Sequence, residues 1–192
     1  MYQFMKSAIN NVLPYQESRA VRTIFLVGGF ALLTALGALI RIPLPFTPVP
    51  ITLQTFFVLL AGATLGSKRG TLSQMVYVSA GAIGIPIFAG MASGIALLAG
   101  PTGGFLAGFL LAPAVVSYLI GDSSSRSRLM GALTAGTIVI FLSGNLWLWK
   151  ITGGTLMNTL SLGFLPFIPG AIIKIGLVIA LVEAFKYNRK DR

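Results

Sequence analysis

The sequence predicts an all-α integral membrane protein, with six transmembrane helices in a compact bundle and both termini cytoplasmic. Three observations carry that expectation. Of the 192 residues 55% are hydrophobic and 9% charged, with a mean hydropathy of +0.88, whereas soluble domains carry about 25% charged residues. Apolar runs recur along the chain, most of them near the ~17 to 25 residues that a helix needs to cross hydrocarbon. Eleven of the fourteen Lys and Arg fall in segments that six crossings leave on one side, which the positive-inside bias makes the cytoplasm.

Residues 1–22 form a cytoplasmic segment without the continuous apolar core and cleavage site of a secretory signal. Phe4, Met5, Ile9 and Val12 would anchor a short interfacial helix over residues 2–13, and a frayed terminus is the other reading. The membrane domain, residues 23–185, divides into spans at 23–40, 51–66, 71–88, 104–120, 129–149 and 165–185; residues 186–192 are a basic cytoplasmic tail. Lys6, Arg19 and Arg22 precede the first span, Lys68 and Arg69 separate the second and third, and Arg126 and Arg128 separate the fourth and fifth. The opposite loops hold only Arg41 and Lys150. Five spans with one re-entrant glycine-rich segment is the main alternative. The net charge of +10 therefore reads as topology and not as affinity for nucleic acid.

Composition also excludes most catalysis. The chain has no Cys and no His, which removes thiolate chemistry, metal sites built on those ligands and the commonest general base. The four carboxylates, Glu17, Asp122, Glu183 and Asp191, lie in charged flanks or near the predicted cytoplasmic ends, so no acid pair sits inside an apolar run. No enzyme and no metal site is expected.

Polar residues inside the spans are the candidates for binding. Between the first two spans, four prolines at 43, 45, 48 and 50 impose an extended, stiff loop that can lie over the bundle mouth. Gln54 follows it, either as a ligand partner or as an interhelical hydrogen-bonding residue. In the third span Gln74 and Tyr77 lie three residues apart, ahead of Gly81, Gly84 and Pro86, where a regular helix should loosen. The cluster Gly100, Pro101, Thr102, Gly103 and Gly104 allows a close backbone approach to a ligand and adds a hydroxyl, or is simply a turn; it lacks the lysine of a nucleotide P-loop. Trp147, Trp149 and Lys150 read as an interfacial anchor, with Asn145 deeper and able to line an outer cavity. Gly28, Ala31, Ala35 and Ala38 form a smooth strip that packs inside the bundle or docks another membrane subunit. Lys174 lies ~8 Å below Pro169 and ~18 Å from Lys186 along a helix, too deep for easy snorkelling to the cytoplasmic face; a position facing the bundle interior suits it better.

Taken in order, "IPLPFTPVPITLQT", "GAIGIPIFAG", "GPTGGFLAGF" and "FLPFIPGAIIK" closely resemble BioY, the biotin-binding substrate subunit of energy-coupling-factor transporters, over residues 23–185. The resemblance implies a high-affinity subunit of the bacterial plasma membrane that binds biotin in an outward-facing pocket. It implies as partners a transmembrane coupling protein and two cytoplasmic ATPases; ATP would be bound only by those partners, and no cofactor is expected here. It points to the first outer loop, the 100–104 region and the start of the sixth span as pocket elements, and to Ala31 and Ala35 as the coupling-protein contact. One position departs from the pattern: where the family usually carries an aspartate three residues before the lysine, this chain has Ala171. Biotin's ureido N–H groups would lose an acceptor there and Lys174 a charge partner. A related subunit of altered small-molecule specificity and a non-transporting membrane scaffold are the alternatives; ligand competition separates the first, and the second has no enclosed polar pocket.

Overall fold

The computed structural model describes residues 19–123 and 125–187. The interfacial helix expected over residues 2–13 and residues 188–192 of the basic tail lie outside the described residues. Helix α1 (Arg19–Leu39) leads through strand β1 (Arg41–Ile42) and strand β2 (Ile51–Thr52) into α2 (Gln54–Leu65). One residue, Gly66, separates α2 from α3 (Ser67–Ala82). A short helix α4 (Ile95–Ala99) precedes α5 (Gly103–Ile120) and α6 (Arg126–Thr152). The chain then forms α7 (Leu156–Gly163), a 3-10 turn (Leu165–Phe167) and α8 (Ile168–Tyr187).

Among the described residues four stretches are long and apolar enough to cross a membrane: α1, α5, α6 and the run Leu156–Phe185 through α7 and α8. The expected second and third spans form shorter helices, of 12 and 16 residues. Residues 51 and 52 are drawn out of α2 because they pair antiparallel with Ile42 and Arg41. The third run stops at Ala82, since Gly84 takes a φ of +111° and Pro86 cannot continue the ladder.

Helix α3 is inside-out by the standards of a soluble protein. Ser73 and Gln74 are 0% exposed, while Leu72, Met75 and Val76 are 42–50% exposed. Gln74 Nε2 donates to Thr34 Oγ1 (3.2 Å) and to Ser73 Oγ (3.1 Å), tying α3 to α1. Polar side chains turned inward and apolar ones outward suit hydrocarbon surroundings, where a polar group must find its partner within the protein.

Small residues set how closely the helices approach. A Cβ at Gly108 of α5 would stand 2.8 Å from Ile140 Cα of α6, and one at Gly62 of α2 would stand 2.8 Å from Pro113 Cα of α5. The interior divides into two apolar clusters. One, around Leu59, Val116, Leu133 and Val178, is aliphatic packing. The other holds Tyr77, Phe88, Phe105, Phe109, Phe141 and Phe167 at the loop-rich end of the bundle, and it surrounds a cavity.

Candidate ligand-binding site

The cavity measures about 300 Å³, at the small end of the roughly 300–1,000 Å³ typical of ligand pockets. The proline-rich hairpin supplies its lid. Pro48, Val49 and Pro50 line the space, with Arg41 and Thr52 from the two strands. Thr47 Oγ1 donates to Leu162 O at 2.7 Å, pinning the hairpin to α7. Leu53 N donates to Gly37 O and Ile40 O, both at 3.1 Å, and holds the start of α2 against the end of α1. The walls are aromatic: Phe88 from the turn after α3, Phe105 and Phe109 from α5, Phe141 from α6 and Phe167 from the 3-10 turn. Phe105 and Phe141 each tilt against Phe167, with centroids 6.3 and 6.2 Å apart.

Polar groups gather on one side. Lys174 lines the cavity, and its Nζ donates to Thr55 Oγ1 at 2.8 Å. Ala171, one turn earlier on the same face of α8, also lines it. Thr52 Oγ1 donates to Gln54 Oε1 at 2.9 Å, and Gln54 Nε2 donates to the hydroxyl of Tyr77. Among the described residues two cationic ones, Arg41 and Lys174, line the space and no carboxylate does. Glu183, the acidic residue of α8, pairs instead with Arg126 at 3.5 Å. A mostly apolar chamber with donors at defined points suits a small, neutral or anionic molecule rather than a cation.

The family model described as "BioY family" matches residues 5–191. The chain belongs to the BioY family. It is 40% identical over 167 residues to the probable biotin transporter BioY of Pyrococcus horikoshii, covering 87% of this chain and 98% of that one. It is 37% identical over 171 residues to the biotin transporter BioY of Thermotoga maritima, covering 89% and 98%. The solved crystal structure of the S-component for biotin from an ECF-type ABC transporter superposes with a TM-score of 0.81 at 29% identity, covering 88% of this chain and 93% of that one.

In this BioY family member the structure brings together Lys174, Ala171, Gln54 and Thr102 of the residues singled out from sequence. Gly103 lies just behind Thr102, so close to Leu98 O that a side chain would have no room. Tyr77 and Asn145 do not line the cavity. Tyr77 is buried behind Gln54. Asn145 Nδ2 donates to Phe141 O (2.8 Å) and Gly163 O (3.0 Å), which makes it a tie between α6 and the end of α7. The tryptophans also divide. Trp147 Nε1 donates to Gly100 O at 2.9 Å and secures the turn carrying Thr102, whereas Trp149 is exposed.

The small-residue strip packs largely inside the bundle. Ala31, Ala35 and Ala38 are buried, because their lack of bulk lets α1 settle into the bundle; Gly28 alone of the four is exposed. Four polar lining residues, Arg41, Thr52, Thr55 and Thr137, escaped the sequence reading. Thr55 adjoins Gln54, and its signal was a hydroxyl in the first turn of a short span. Arg41 was counted as a loop charge, and only the pairing of β1 with β2 shows that it borders a cavity.

Proposed function

We propose that this chain is the high-affinity biotin-binding substrate subunit of an ATP-driven energy-coupling-factor uptake transporter. The observation that carries the proposal is a chamber lined by Lys174 and Arg41 and walled by phenylalanines, found in a chain of the BioY family. Biotin's fused rings are compact, with an apolar thiophane ring, its ureido carbonyl is a strong acceptor, and its valerate ends in a carboxylate. The rings would pack among Phe88, Phe105, Phe141 and Phe167. Lys174 Nζ, already donating to Thr55, has further protons for the ureido oxygen. Arg41, on the exposed hairpin, would meet the carboxylate with a charge-assisted bond. Gln54 and Thr102 supply the remaining polar contacts.

Six crossings with both termini cytoplasmic belong to the same proposal, supported by the distribution of Lys and Arg. The cavity then opens outward in a bacterial plasma membrane. The chain shows no nucleotide-binding motif, so a transmembrane coupling protein and two cytoplasmic ATPases would provide the energy, with Gly28 on the lipid-facing side of α1 available for helix contact. Binding of labelled biotin by the purified chain, competed by unlabelled biotin, tests the assignment. Ala171 favours a second reading, a related subunit of shifted specificity, because the position lining the pocket one turn before Lys174 carries no acceptor. In that case a different small molecule would displace the label better than biotin does.

A further inference from the structure

We propose that Tyr77 is a positioning residue, which fixes the Gln54 carboxamide with its oxygen toward the ligand and so turns Gln54 into the acceptor that Ala171 does not provide. The inference rests on the biotin reading above for the identity of the ligand N–H. With the Tyr77 proton on Ile87 O, the hydrogen-bond sequence has one polarity. Tyr77 Oη donates its single proton to Ile87 O at 3.2 Å, so toward Gln54 it can only accept. The amide nitrogen must therefore face Tyr77, as observed. Rotating the amide would set two acceptors against each other unless Tyr77 released Ile87 O to donate to Gln54 instead. The oxygen then faces Thr52, whose hydroxyl donates to it at 2.9 Å. Thr52 and Gln54 line the cavity and Tyr77 does not, so one proton of the nitrogen is held on the interior side and the oxygen's remaining lone pair is left on the ligand side. A buried carbonyl with spare accepting capacity suits an N–H of a cyclic urea and repels a carbonyl or ether at the same place.

The same hydroxyl reaches a second wall of the chamber. Ile87 precedes Phe88, whose ring stands edge-on to Tyr77 with centroids 5.6 Å apart, and Phe88 and Ala89 line the cavity. Gly81 makes room for that ring, since a Cβ there would collide with it. One phenol thus holds the first turn of α2, strand β2 through Gln54, and the turn after α3.

The test compares biotin with biotin methylated on either ureido nitrogen. The purified chain should prefer biotin to one of the two methylated forms, and Tyr77→Phe should shrink that preference by about fivefold, the worth of one hydrogen bond. Gln54→Met should shrink it equally, and adding Tyr77→Phe to Gln54→Met should shrink it no further; a merely structural tyrosine would act on all ligands alike and add to any background. Independently of ligand, a maleimide should label Ala89→Cys faster when Tyr77→Phe frees the Ile87 carbonyl. The chain has no native cysteine to interfere. An unchanged preference in folded Tyr77→Phe protein overturns the acceptor role. An unchanged labelling rate overturns the positioning role even if the chain proves not to bind biotin, so the two readings fail separately.

Discussion

Lys174 Nζ donates to Thr55 Oγ1 at 2.8 Å, joining α8 to the first turn of α2 across 119 positions of sequence. That bond explains how a lysine is tolerated within an apolar helix: it faces a cavity and a hydroxyl rather than lipid. It also aims the ammonium at whatever the cavity holds.

Lys174→Ala should therefore weaken biotin binding by roughly 10- to 150-fold, the worth of a charge-assisted hydrogen bond of about 1.5–3 kcal/mol. Thr55→Val should cost less, since the ammonium remains and loses only its orientation. Equilibrium dialysis with labelled biotin on both folded variants checks the order; equal, small losses would place the ligand away from Lys174.

Ala171→Asp should tighten binding. A carboxylate one turn before Lys174 can accept from a ureido N–H and pair with the ammonium in surroundings of reduced dielectric. The gain should be about tenfold or less, because desolvating the new charge offsets part of it. An unchanged constant in folded Ala171→Asp protein would mean that the ligand's N–H groups do not reach this part of the cavity.

Much of this was legible beforehand, for stated physical reasons. Lys174, Gln54 and Thr102 stand out because a polar side chain in an apolar run is costly unless used. The lid follows from four prolines in eight positions, which prevent helix and shorten the loop's repertoire. Tyr77 and Asn145 stood out equally, but sequence cannot tell a group facing a ligand from one facing a neighbouring carbonyl. For Asn145 the deciding partner is Gly163 O, 18 positions away. The alanines of α1 were ambiguous for a related reason: smallness signals close approach without naming what approaches, and here it is the chain's own bundle. Arg41 could not be read as a pocket residue before β1 and β2 were known to pair.

Because Ala35 is buried and Gly28 is open, the two should respond oppositely to enlargement. Ala35→Leu should lower the thermal stability of the isolated chain in detergent by about 1–3 kcal/mol, the usual cost of overpacking. Gly28→Leu should leave that stability nearly unchanged and reduce co-purification with the coupling protein. Identical behaviour of the two variants in both assays would remove the distinction drawn between the faces of α1.

Topology is open to direct labelling, since every introduced cysteine is the only one in the chain. Lys68→Cys and Arg126→Cys should react with a membrane-impermeant maleimide only after the cell is opened, and Pro45→Cys should react from outside. External reaction at both basic positions would reverse the orientation.

The central claim is that the cavity bearing Lys174 is a biotin site, and saturation binding measures it most directly. Purified chain titrated with labelled biotin should saturate near one ligand per chain, lose the label to excess unlabelled biotin, and bind far more weakly as folded Lys174→Ala protein. Failure of both the folded parent chain and folded Ala171→Asp to bind biotin saturably would contradict it.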